Sequence, residues 1–187
     1  MGMPQFDHDW TVAERDALPD DGNRYEVIDG ELLVTPAPSL AHQAAVLALA
    51  SILAPYTRRE GVGHAFVAPG DVVFSWRRGV QPDVFVIPLV NGRRPERFDK
   101  ENGLLLAVEV LSPSTARADR VRKRTLYREE GVPEYWIVDM DARTFERSTP
   151  AEPRPEVIVE RLEWMPAGAS APLVIDIVEF FVEVLDR

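Results

Sequence analysis

Short runs of Val, Ile, Leu, Phe and Tyr, four to eight residues long and punctuated by Gly, Pro, Asp and Ser, dominate the chain, and a few longer stretches carry apolar residues at helical spacing. Tyr25-Glu26-Val27-Ile28 and Glu31-Leu32-Leu33-Val34 flank Asp29-Gly30, which predicts a β-hairpin. Thr11-Val12-Ala13-Glu14 has the form of a capping box and opens a short helix ending near Leu18. After Pro36 and Pro38, Ser39 caps a helix carrying Leu40, Ala44, Leu47, Ala48, Ser51 and Ile52. Its apolar stretch from Ala44 to Pro55 falls short of the roughly 20 residues a bilayer crossing needs, so it reads as a core helix, with no membrane implied.

Strands are expected at Gly63–Val67, Asp71–Trp76, Val80–Ile87 and Leu104–Leu111, as a meander with a tight turn at Arg77-Arg78-Gly79 and a polar loop at Asn91–Gly103. Ser112-Pro113-Ser114-Thr115 ends the last of them. A basic helix then runs from Ala116 to Glu130 and stops at Gly131 and Pro133, and Glu134–Asp139 returns as a buried strand. Further strands are expected at Thr144–Arg147 and Val157–Leu162, before a terminal helix carrying Ile177, Phe180, Phe181 and Val184. The order helix, three strands, helix, strand predicts an α/β core with one sheet flanked by helices. The 187 residues, 45% of them hydrophobic, read as a single domain over 1–187, with 140–187 a C-terminal β/α extension.

Composition narrows the chemistry. With no cysteine, thiolate metal sites and disulfides are excluded, and a reducing, cytoplasmic setting is the expectation. The three histidines lack metal-ligand spacing, which argues against a zinc enzyme. The N-terminus, Met1 to Asp7, has neither a leader pattern nor a lipidation motif. A net charge of −10 argues at first against nucleic acid, but the charge is unevenly spread. Residues 58–128 hold 14 basic and 8 acidic residues, against 7 and 23 in the remainder. This basic island surrounds the residues that carry the chemistry.

Those residues stand out because they violate the apolar pattern. Asp83 in Gln81-Pro82-Asp83-Val84-Phe85-Val86 and Glu109 in Leu106-Ala107-Val108-Glu109-Val110-Leu111 are carboxylates inside strands that otherwise read as buried. A buried carboxylate needs a counter-charge, hydrogen bonds or a metal. If the two strands are neighbours, Asp83 and Glu109 face each other and offer oxygen ligands to magnesium or manganese. Pro82 lacks a ladder donor and places a bend beside Asp83. Lys123 is one of only two lysines among 21 basic residues. It is either a point charge aimed at a phosphate or at attacking hydroxide, or half of a helix-surface pair with Asp119. Tyr127, one turn on, either contacts substrate or packs.

Together, Arg24-Tyr25-Glu26-Val27-Ile28-Asp29-Gly30-Glu31-Leu32, Gln81-Pro82-Asp83-Val84, Val108-Glu109-Val110-Leu111-Ser112-Pro113-Ser114-Thr115 and Lys123…Tyr127…Gly131-Val132-Pro133-Glu134-Tyr135-Trp136-Ile137-Val138-Asp139 resemble the Uma-two family of restriction endonucleases, within the PD-(D/E)xK nuclease-like superfamily. The resemblance runs from Thr11 to Asp139. It implies a restriction-endonuclease-like core with a mixed β-sheet flanked by helices, and a divalent-metal-dependent endonuclease acting on DNA, with a homodimer as one possible working unit. It implies that Asp83, Glu109 and the carbonyl of Val110 hold Mg2+ or Mn2+, and that Lys123 is the catalytic lysine. Glu31 would be a further catalytic or ligand-orienting acid, and His42 an accessory residue. Arg117, Arg120, Arg124, Arg128 and Tyr127 would contact nucleic acid. One departure matters: the superfamily's lysine follows the second acid by two residues, where this chain has Leu111. Activity then requires the lysine to come from the next helix. The rival implication is a nuclease-like domain that has lost catalysis and serves as a nucleic-acid-binding or oligomeric interaction module. A glycosidase reading of the paired acids leaves the lysine and the basic island without a role.

Overall fold

The computed structural model describes residues 8–152 and 154–186; Met1 to Asp7, read above for targeting signals, lie outside them. Thr11 and Glu14 form the expected capping box at the start of α1 (Val12–Asp16). β1 (Arg24–Ile28) and β2 (Glu31–Thr35) pair across Asp29 and Gly30, whose positive φ angles of 53° and 85° make the turn that Asp-Gly favours. Ser39 accepts the His42 amide at the head of α2 (Leu40–Glu60), which Gly61 ends in the left-handed conformation. This helix is longer than the apolar stretch suggested, and by length and composition could cross a membrane. It does not stop at Pro55 because Pro55 and Ser51 are both exposed, so the carbonyl that proline cannot pair faces water. Its Ala45, Ala48, Leu49, Leu53 and Tyr56 are buried in the core.

Strands β3 (Gly63–Val67), β4 (Val72–Ser75), β5 (Arg78–Val80), β6 (Val84–Pro88) and β7 (Leu106–Val110) follow. The expected meander is not what forms. The run read as one strand over Val80–Ile87 breaks at Gln81-Pro82-Asp83, where Pro82 cannot donate to a ladder, and its two parts enter different sheets. β4 and β5 join the hairpin in a four-stranded sheet of order β2-β1-β5-β4, so Arg78 and Gly79 are ladder residues rather than a turn. A π-helical segment, Ala118–Lys123, continues into α3 (Arg124–Glu129). β8 (Tyr135–Asp139), β9 (Thr144–Ser148) and β10 (Glu156–Ile158) complete a six-stranded sheet of order β10-β9-β8-β7-β6-β3, in which β7 and β8 are parallel and the other pairs antiparallel. The stretch read as one strand over Val157–Leu162 is split, and β11 (Arg161–Trp164) pairs instead with β12 (Leu173–Asp176), a strand without a sequence expectation. α4 (Ile177–Leu185) ends the chain.

This is a mixed α/β architecture with the expected core order: α2, then β3, β6 and β7, then a helix, then β8, with β4 and β5 inserted. The large sheet is buried on both faces, and side-chain alternation sorts its residues between two cores. Val84, Val86, Leu106, Val108, Val110, Trp136 and Val138 meet α2 and α4 on one face. Phe85, Ile87, Ala107, Tyr135 and Ile137 meet the small sheet and α3 on the other. Phe180, Phe181 and Val184 close the first core.

Candidate active site

Alternation also decides where the acids go. The register Val84↔Val108, carried one place further, sets Asp83 opposite Glu109, and both fall on the small-sheet side of the large sheet. Asp83 is 2% exposed. Its Oδ1 accepts from Arg24 Nη1 at 2.7 Å, and its Oδ2 accepts from the Val110 amide at 2.9 Å and lies 3.1 Å from His42 Nε2. Burial pushes this carboxyl up, but the His42 hydrogen bond and the Arg24 guanidinium outweigh it and hold Asp83 below the usual aspartate range.

Glu109 sits one layer deeper. Lys123 Nζ is 2.9 Å from Glu109 Oε1 and 2.9 Å from Glu26 Oε2, and Tyr127 Oη donates to Glu109 Oε1 at 3.3 Å. Asp119 Oδ1 is 3.5 Å from the same ammonium and makes no hydrogen bond, although it is buried. The π-helical segment brings Asp119 and Lys123 inward together; such segments recur at functional sites. Burial raises the carboxyls of Glu109 and Asp119, with Lys123 opposing it and neighbouring acids adding to it. Lys123 is raised as well: burial lowers it, and Glu109, Glu26 and Asp119 more than compensate.

The structure therefore brings together Asp83, Glu109, Lys123, Val110 and His42. It does not bring Glu31, which is exposed on β2 and pairs with Arg122 at 2.7 Å. Glu26 on β1 occupies the deep position instead, with its Oε1 accepting from the Gln81 amide at 2.7 Å. Glu26 and Arg24 were missed as site residues. Glu26 lies in Tyr25-Glu26-Val27-Ile28, an acid in an apolar strand like those that singled out Asp83 and Glu109. The helix arginines also need correction. Arg120 pairs with Asp139 at 2.6 Å and Glu146 at 2.7 Å, and Arg124 pairs with Glu146 at 3.1 Å. Arg117 and Arg128 are exposed, whereas Tyr127 is wholly buried beneath Glu109 and reaches no solvent-side partner. Asp119 and Lys123 pair as their i, i+4 spacing allows, but in the core and not on the helix surface.

Arg24, His42 and Asp83 line a cleft of about 970 Å³ between the hairpin, α2, the end of β3 and the Ser112–Thr115 turn. A family model described as "Uma2: Putative restriction endonuclease" matches residues 12–185. The chain belongs to the Uma2 family. The fold agrees with a crystal structure from Anabaena variabilis ATCC 29413, described as "a putative nuclease belonging to DUF820": TM-score 0.78 at 23% identity, covering 94% of this chain and 99% of that one. At that identity the likeness establishes the restriction-endonuclease-like fold. No curated protein matches the sequence. Within this Uma2-family fold, Asp83, Glu109 and Lys123 come from the segment before β6, from β7 and from the π-helical segment, which sets the Lys123 ammonium 2.9 Å from Glu109 in a chain that has Leu at position 111.

Proposed function

We propose that the protein is a divalent-metal-dependent endonuclease that hydrolyses DNA phosphodiester bonds. The observation that carries this reading is buried charge. Glu26, Asp83, Glu109 and Asp119 lie in one buried cluster whose only fixed cations among the described residues are Lys123 and Arg24, so four carboxyl groups share two positive charges, and burial with the neighbouring acids raises Glu109 and Asp119. A magnesium or manganese ion would favour the ionised forms of these acids, and the donors are the oxygens these ions prefer. Among the described residues no three acidic or imidazole side chains converge in ligand geometry. Magnesium commonly takes one or two carboxylates and completes its shell with water and substrate phosphate, so the fit rests on Asp83, Glu109 and the Val110 carbonyl.

When bound, the ion polarises a phosphoryl oxygen and lowers the pKa of water. Arg24 and His42 keep Asp83 ionised and hold its orientation through both oxygens. Lys123 brings a fixed positive charge to Glu109, where it offsets charge developing on the attacking oxygen or on phosphorus. Two copies acting on opposite strands would make a homodimer the working unit, and the cytoplasm its compartment.

A second reading is favoured by one observation: Glu26, Glu109 and Asp119 enclose the Lys123 ammonium, which leaves it 1% exposed. On that reading the domain binds nucleic acid or assembles with other subunits without cutting. Titration calorimetry with magnesium and manganese on wild type and Asp83→Ala separates the two. The nuclease reading expects binding that the substitution abolishes, and metal-dependent cleavage that Lys123→Ala abolishes. Absence of metal binding by wild type, even with DNA present, would sink it and leave the module.

A further inference from the structure

The Asp83 carboxylate is already crowded. An ionised carboxylate has about four lone-pair sites, and this one accepts from Arg24 Nη1 at 2.7 Å on one oxygen and from the Val110 amide at 2.9 Å on the other, which also lies 3.1 Å from His42 Nε2. Two of these neighbours are held by the fold: the Val110 amide is backbone of β7, and His42 sits in the first turn of α2. Arg24 differs in kind. It is the one permanent charge on Asp83 among the described residues, and its long side chain borders the cleft, 18% exposed where that of Asp83 is 3%. Its grip is also incomplete. Arginine commonly takes a carboxylate bidentately, through two parallel N–H groups. Arg24 reaches Asp83 through Nη1 alone, a nitrogen that also donates to the Gln81 carbonyl at 3.2 Å, while its buried Nε has no partner among the described residues. An unpaired buried donor is a cost that a purely bracing role gives no reason to carry. Asp83 meets solvent at this cleft, and the deeper Glu109 and Glu26 do not line it, so Arg24 stands between the cleft and the acids.

We propose that Arg24 is a surrogate cation: it neutralises Asp83 in the metal-free protein, and a divalent ion binds by displacing its guanidinium into the cleft. The proposal rests on the nuclease reading and deepens it by naming the residue that controls entry to the metal site. Room and charge for the displaced group are present. The cleft holds about 970 Å³ and carries Asp16, Asp20 and Asp71 on its walls, against Arg15, which already lies 2.6 Å from Asp16 and 3.1 Å from Asp71. A guanidinium leaving Asp83 therefore moves into space of net negative charge. The exchange also selects among ions. Magnesium or manganese brings two charges to Asp83 and Glu109 where the guanidinium brings one, whereas a monovalent ion offers no more charge than the group it would replace.

Magnesium titration calorimetry on wild type and Arg24→Gln, together with phenylglyoxal footprinting of wild type read by mass spectrometry, tests the exchange. Arg24→Gln removes the charge and keeps a polar side chain, and should bind magnesium at least about tenfold more tightly than wild type. Loss of a nearby positive charge tightens binding even without displacement, so the footprint separates the two. The arginine reagent should modify Arg24 weakly in EDTA and strongly with saturating magnesium, while the exposed Arg117 and Arg128 react equally in both. Being read on wild type, the footprint stands even where Arg24→Gln fails to fold. Equal or weaker magnesium binding by a folded Arg24→Gln, or an Arg24 adduct that magnesium does not raise, overturns the proposal. Either result with magnesium still bound by wild type leaves the nuclease reading intact. Magnesium binding by neither wild type nor folded Arg24→Gln removes the metal site, and the nuclease reading fails with the proposal.

Discussion

Replacing Lys123 with methionine removes the ammonium from the Glu26, Glu109 and Asp119 cage while keeping a side chain of similar length in a site that is 1% exposed. Removing one partner of a buried ion pair costs about 3–5 kcal/mol, because it strands a charge in a medium of low dielectric. For a domain of this size 1 kcal/mol corresponds to roughly 2–4 °C, so the melting temperature at pH 8 should fall by about 6–20 °C. Protonation offers an escape. Glu109 and Asp119 are already raised by burial, and without the ammonium they lose the charge that opposes the rise. Stability is then fully present below the unfolded values, near 4.5 for Glu109, and is lost as pH rises through the raised folded values. The gap between Lys123→Met and wild type should therefore be small at pH 5 and widen towards pH 8, as read by circular dichroism melts at both. Adding Glu109→Gln to Lys123→Met should recover part of the loss, a non-additivity of about 0.5–3 kcal/mol expected of groups in contact. A variant melting within about 2 °C of wild type at pH 8, or losing equally at both pH values, would refute the cage as a charge-balanced unit.

Magnesium at 100 times its dissociation constant should raise wild-type stability by about 2.7 kcal/mol and leave Asp83→Ala unmoved, checked by melts with magnesium and with EDTA. Glu26→Ala should destabilise by about 1–3 kcal/mol because it leaves the Gln81 amide without its acceptor and takes one of three carboxyls from Lys123, which keeps Glu109, while Glu31→Ala should change stability by less than about 1 kcal/mol because its pair with Arg122 is solvent-exposed; urea titrations compare them. Glu146→Ala releases Arg120 and Arg124, so it should cost about 1.5–3 kcal/mol of stability and tighten nucleic-acid binding with a steeper salt dependence, measured by melts and anisotropy.

Much of this protein was legible from local pattern. The Thr11 and Glu14 capping box, the Asp29-Gly30 turn and the Ser39 cap are decided by residues within a few positions of one another, and each formed as read. Asp83 and Glu109 were visible because an acid in a buried run must have a partner. Glu26 carries the same mark, but its place beside Lys123 follows only from β5 joining its hairpin to the rest of the site.

What local pattern does not specify is which strand a strand meets. Pro82 signals a bend, but that β5 and β6 part into separate sheets depends on pairings with β1 and β3, strands far away in sequence. The arginines of the Ala116–Glu130 helix look free in one dimension, because Asp139 and Glu146, which bind Arg120 and Arg124, arrive only after β8 and β9 fold back. The sequence leaves the roles of Lys123 and Tyr127 open for the same reason: their burial depends on an inward π-helical turn and on a sheet built from four separate strands. The amino-acid sequence by itself determined the elements, their caps and the acids that needed partners, because those follow from side-chain spacing and the cost of burying charge. Tertiary structure alone decided the partners, since a counter-charge is chosen by distance in space and not by separation along the chain.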